Sequence, residues 1–165
     1  MKTLRFCLSL LALCALLVGT APMIRSTSAD DLSAATNSEL ARARNATAKY
    51  HDVATAEADG YVLEGCVPGE GLEYVNEDLI DCTFDIEHPE ALHYIQEGNH
   101  LRLVGVEYVV PTDCTATAPE GFTGDADEWE FMAEGFPIWA VRAALWLPNP
   151  NGMFAENNPR VPSCP

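Results

Sequence analysis

The sequence predicts an α+β domain, with one long N-terminal helix packed on a largely antiparallel sheet of four or five strands and two disulfides. Three observations carry this expectation. An alanine-rich amphipathic stretch occupies 37–58, β-prone runs separated by turn residues follow it, and four cysteines lie beyond a leader-like start.

That start sets the compartment. Lys2 and Arg5 precede an apolar run from Phe6 to Val18, long enough for a signal-peptide core but short of the roughly 20 residues a bilayer span needs. A signal peptide over 1–29 is expected, cut after Ala29 in Thr27-Ser28-Ala29; a cut after Ala21 would place Pro22 beside the scissile bond. The mature chain is then secreted or periplasmic. Its 136 residues, 30–165, suit one α+β domain ending in an irregular C-terminal tail.

From Asp30 onward six Lys and Arg face 25 Asp and Glu, a net charge of −19. Such a field repels phosphate backbones and lipid headgroups, so nucleic acid and anionic membrane surfaces are excluded as partners. Lys49 is the one lysine in that stretch. Two explanations of the acidity stay open: a high-salt habitat that screens self-repulsion, or a device for solubility.

Thr36-Asn37-Ser38-Glu39 reads as a capping box opening a helix from about Asn37 to Ala58. Leu40, Thr47, Tyr50, Val53 and Ala54 form its apolar stripe, and Gly60 stops it. Strand candidates follow at Tyr61 to Val67 and Leu72 to Val75, separated by Pro68-Gly69. The clearest unit is a hairpin: Ala91 to Gln96 and Leu101 to Val110 flank Glu97-Gly98-Asn99-His100. The second arm is nearly all apolar, which predicts a central strand. Residues 111–128 have loop composition, 137–147 read as a long strand apolar on both faces, and the proline- and asparagine-rich tail should be ordered but irregular.

Cys66, Cys82, Cys114 and Cys164 allow three connectivities. With Gln96 facing Leu101, paired positions in the hairpin sum to 197, and Cys82 and Cys114 sum to 196. Both cysteines therefore lie almost equally far from the turn, which favours Cys82–Cys114 and leaves Cys66–Cys164 to clip the tail to the first strand. No CxxC occurs, so a thioredoxin-like or zinc-ribbon site has no support.

Candidate chemistry is sparse. His51, His88, His93 and His100 match no ligand spacing, and solvated histidines are the bland alternative. Asp125-Ala126-Asp127-Glu128 resembles the start of a calcium loop, but Glu130 and Phe136 stand where glycine and glutamate are required. His88, His93, Asp125 and Asp127 are kept as an alternative metal set. No Gly-x-Ser-x-Gly appears, and no catalytic residue is assigned. Trp129, Trp139 and Trp146 could line a groove or simply fill the core.

Tyr50-His51-Asp52-Val53, Gly71-Leu72-Glu73-Tyr74-Val75-Asn76, Pro89-Glu90-Ala91-Leu92, the run from Leu101 to Val110, Asn149-Pro150-Asn151-Gly152-Met153-Phe154 and Asn158-Pro159-Arg160-Val161 with Cys164 resemble a family of uncharacterised secreted bacterial proteins. The resemblance spans most of the mature chain. It implies histidines in relatives at the positions of Glu73 and Arg142, hence a Glu73–Arg142 ion pair here in place of a metal or ligand site. The expected ligand-binding surface is Glu73, Tyr74, Asn76, Arg142 and Trp146. The function expected is a non-catalytic extracytoplasmic binding or structural module without cofactor, whose partner is a small molecule or an extracytoplasmic protein. The alternative is a small metal-dependent enzyme or metal-binding protein using a divalent metal. The sequence assigns no oligomeric state.

Overall fold

In the computed structural model, which describes residues 32–133 and 135–164, the helical stretch is broken. The expected signal peptide, 1–29, lies outside the described residues. Helix α1 spans Ala34–Thr47, a 3-10 turn follows at Ala48–His51, and a short α2 spans Val53–Ala58. The single helix expected from Asn37 to Ala58 is thereby corrected. Asp52 adopts an extended backbone, and its carboxylate accepts the amide of Ala54 at 3.1 Å, so it caps a new helix rather than continuing the old one. The capping box is corrected too. Ser33 caps α1, accepting from the amide of Thr36 at 3.0 Å. The Glu39 carboxylate instead accepts from the Thr123 amide and hydroxyl at 2.8 and 2.6 Å, tethering a distant loop.

Among the described residues six strands, rather than four or five, form one sheet: β1 (Val62–Val67), β2 (Gly71–Val75), β3 (Ala91–Glu97), β4 (His100–Pro111), β5 (Glu130–Met132) and β6 (Ile138–Ala143). Their order is β1-β2-β3-β4-β6-β5, and every pair is antiparallel. The hairpin has the expected register, with Gln96 opposite Leu101. The additional strand, β5, is a three-residue edge too short to leave an alternating pattern. β6 stops before the expected Leu147. The β3–β4 pairing skips Val104, and the Val104 carbonyl instead accepts the amides of Trp146 and Leu147 at 3.0 and 3.1 Å.

One face of the sheet carries the main core. Tyr74, Leu92, Tyr94, Leu103, Val106, Tyr108 and Val141 meet Leu40, Ala43, Tyr50 and Ala56 of the helical layer. The tyrosines are buried with their hydroxyls satisfied: Tyr61, Tyr94 and Tyr108 donate to the carbonyls of Pro89, Tyr50 and Ile86 at 2.6, 2.6 and 2.8 Å. The opposite face holds a small cluster of Ile95, Val104 and Val161 with Leu147. The tail covers it without helix or strand, held by its asparagines. Asn149 donates to the carbonyl of Ala155 at 2.8 Å and Asn158 to that of Leu147 at 3.0 Å.

Both expected disulfides are present, Cys66–Cys164 and Cys82–Cys114, with Cα atoms 5.8 and 5.4 Å apart. The second does not extend the hairpin ladder. Between β2 and β3 the chain forms a 3-10 turn at Glu77–Leu79 and further turns, and Cys82 meets Cys114 from there.

Candidate functional site

Alternation along the strands decides which polar side chains meet. Because Tyr74, Leu92, Tyr94, Val106, Tyr108 and Val141 point into the main core, their neighbours Glu73, His93, Glu107 and Arg142 point to the tail-covered face. Register then aligns them. Glu73 pairs with His93 across β2–β3, His93 with Gly105 across β3–β4, and Glu107 with Arg142 across β4–β6. Gly105 puts no side chain beside the imidazole. Glu70 comes from the turn joining β1 to β2, where Gly71 has φ +106° and an added Cβ would collide with the Tyr94 carbonyl. Glycine there lets the turn press onto β3, bringing Glu70 to the cluster.

Arg142 is its hub. Nε lies 2.6 Å from Glu70 Oε2, Nη2 lies 3.3 Å from Glu107 Oε1, and Nη1 lies 3.0 Å from Glu130 Oε2. The Glu107 and His93 side chains are 3% and 4% exposed, whereas Glu130 is 43% exposed, so the first two depend on each other while Glu130 shares its charge with solvent. His93 Nε2 hydrogen-bonds Glu107 Oε2 at 3.0 Å. Among the described residues His93 Nδ1 has no hydrogen-bond partner, and it lies 3.7 Å from Glu70 Oε2.

Burial and charge oppose each other at each group. Burial alone would raise Glu107, but the hydrogen bond from His93 and the positive charge of Arg142 hold its carboxyl below the ordinary range. For His93 burial favours the neutral ring, yet the hydrogen bond to Glu107 and the charges of Glu107, Glu70 and Glu73 outweigh it and raise the imidazole. Burial lifts both Glu70 and Glu73 above the carboxylate range, and the charge of Glu107 adds to it for Glu73. Four carboxyl groups face one guanidinium. Burial, with the charge of Glu107 added, pushes two of them toward holding protons.

Between this cluster and the tail lies a cavity bordered by Glu70, His93, Gly105, Arg142, Glu156 and Asn158. Its volume of about 30 Å3 admits one or two water molecules or a small ion.

The expected surface is only partly assembled here. Glu73 and Arg142 both reach the cluster, but the Glu73–Arg142 ion pair is corrected: the partners of Arg142 are Glu70, Glu107 and Glu130. The reason is strand order. β3 and β4 stand between β2 and β6, about 14 Å at the usual strand spacing, and Glu107 occupies the position opposite Arg142. Tyr74 faces the main core, edge-on to Tyr94 with centroids 5.2 Å apart. Asn76 caps the 3-10 turn through Asp78 and donates to the Asp59 carbonyl at 2.9 Å. Trp146 packs on His51 at 4.4 Å.

Of the alternative metal set, only His93 joins the cluster. His88 bonds Asp85 at the exposed surface, Asp127 accepts the Phe122 amide at 2.9 Å, and Asp125 is exposed. Among the described residues, Glu70, His93 and Glu107 are the one group of three whose ligating atoms all lie within 4.8 Å of each other. Sequence reasoning missed Glu70, Glu107 and Glu130. Glu107 did leave a signal: a lone carboxylate inside the apolar run Leu101 to Val110 must be buried and therefore partnered.

Compared with protein-family models, with curated proteins and with solved structures, the chain matches none.

Proposed function

We propose that the mature chain is an exported, non-catalytic binding module that takes a small cation in the cavity between the acid-bearing sheet face and the tail. The observation that carries this reading is His93, buried between Glu70 and Glu107 with Nδ1 unpartnered beside that cavity. Buried polar atoms ordinarily find partners, so an imidazole nitrogen left open among carboxylates points to a guest. The excess of carboxyl groups over guanidinium favours a cation as the guest, and the cavity volume favours a small one. The two disulfides are consistent with an oxidising, extracytoplasmic compartment. The resemblance to secreted bacterial proteins supports the same placement.

A chain this acidic gains stability from any salt through screening, so the test holds ionic strength constant. Guanidinium at millimolar concentration, methylammonium, and monovalent and divalent metal chlorides are exchanged against tetramethylammonium chloride while thermal unfolding is followed. A guest raises the midpoint saturably, as mass action on the folded state requires. Identical midpoints with every cation would overturn the reading.

A further inference from the structure

Resting on that reading, we propose that the guest is a divalent transition-metal ion, ligated by His93 Nδ1 and Glu70, with Glu107 orienting the imidazole and Arg142 as the resident charge that the ion displaces. A histidine that ligates through one nitrogen commonly donates its other N–H to a carboxylate, which fixes the tautomer. His93 has that arrangement before any ion arrives. Nε2 is engaged by Glu107 at 3.0 Å, and Nδ1, 97% buried with its residue, has no hydrogen-bond partner among the described residues and lies 3.7 Å from Glu70.

Distances agree with a metal. Two donors about 2.1 Å from a tetrahedral ion stand roughly 3.4 Å apart, and Nδ1 and Glu70 Oε2 are 3.7 Å apart. The cavity leaves room for water to complete the coordination sphere. A mixed nitrogen and carboxylate donor set suits zinc and its first-row neighbours, whereas calcium and magnesium prefer oxygen alone.

Arg142 makes the site an exchange of charges. Its Nε now holds the same Glu70 oxygen that faces Nδ1, so an entering ion replaces the guanidinium there. The arginine keeps its bond to Glu130, on the more exposed side of the cluster and beside Glu156. A divalent ion in place of the guanidinium adds one positive charge to a cluster where carboxyl groups outnumber cations, so the exchange runs with the local charge imbalance.

The test titrates zinc chloride into chelator-stripped mature protein at constant ionic strength, by calorimetry, and repeats it with cobalt to read ligand-field absorption. The expected result is one ion per chain, not displaced by millimolar calcium or magnesium. His93→Gln abolishes it, and Glu107→Gln weakens it about 10- to 100-fold. Arg142→Gln tightens it by roughly 10-fold or more, since the competing charge is gone. If Arg142→Gln does not fold, the wild-type and His93→Gln titrations decide alone. Zinc binding of equal strength in His93→Gln would assign the ion to surface carboxylates and overturn the proposal. No zinc or cobalt binding by wild type, with guanidinium or methylammonium still raising the unfolding midpoint, would overturn the metal and keep the cation pocket. No response to any cation would overturn both.

Discussion

Glu107 stands directly across the β4–β6 ladder from Arg142, and the guanidinium meets its carboxylate at 3.3 Å with both side chains nearly out of water. Buried pairs of this kind contribute little net stability when intact, but losing one partner strands the other charge. Arg142→Met should therefore cost about 3–5 kcal/mol in urea unfolding at neutral pH. Glu130→Gln removes only a half-exposed partner and should cost less than about 1 kcal/mol. Equal losses for the two variants would show that the cluster is solvated rather than buried.

A second buried carboxyl sits apart from that cluster. Glu90 is 2% exposed and accepts the Val109 amide at 2.9 Å, yet burial pushes its carboxyl up to about 8. A carboxyl raised above its unfolded value holds a proton that the unfolded chain has released. Stability from Glu90 is therefore complete below the ordinary carboxylate range and lost as pH rises from there through about 8. The loss is on the order of a few kcal/mol. Glu90→Gln should flatten the decline of the urea midpoint between neutral and mildly alkaline pH. Parallel pH curves for variant and wild type would refute a protonated Glu90.

These two carboxylates also mark how far the sequence could be read. The sheet was legible because alternation and turn residues are local: Tyr61 to Val67, Leu72 to Val75 and the hairpin about Gly98 needed no knowledge of the rest of the chain. The break at Asp52 was not, because an aspartate within a helical pattern gives no sign of whether it tolerates the helix or caps the next one. The cluster was half legible. Glu73 and Arg142 were singled out, but their partners depend on strand order, and β6 inserts between β4 and β5, which sets Glu107 opposite Arg142. Glu70 lies in a turn, where one glutamate among 25 acids carries no mark of burial.

That turn makes a prediction of its own. At Gly71 the backbone has φ +106° and an added Cβ would strike the Tyr94 carbonyl, whereas Gly98 has φ +60° with nothing near its Cβ position. Gly98→Ala should cost only the left-handed backbone penalty, about 1–2 kcal/mol. Gly71→Ala must in addition lift the turn from β3, so it should cost more and should pull Glu70 away from Arg142. Comparing the two unfolding midpoints tests the first point, and the added effect of Arg142→Met in the Gly71→Ala background tests the second. A full additive loss from Arg142→Met there would mean that Glu70 had not moved.

The disulfides differ in what they close. Cys66–Cys164 spans a separation of 98 residues and Cys82–Cys114 one of 32. If each acts by restricting the unfolded chain, each contributes on the order of 2–4 kcal/mol, and the longer loop about 1 kcal/mol more than the shorter. Paired serine substitution at Cys66 and Cys164 should therefore be the more destabilising. It should also have a local signature, because that bond anchors the end of the tail that borders the cavity. Hydrogen exchange should accelerate at the amides of Asn158 and Val161, which bond to the carbonyls of Gly69 and Asn158. Substituting Cys82 and Cys114 should leave those two amides protected up to the global unfolding limit. If both pairs expose the tail equally, the asparagine network alone holds it in place and the Cys66–Cys164 bond acts only on the unfolded chain.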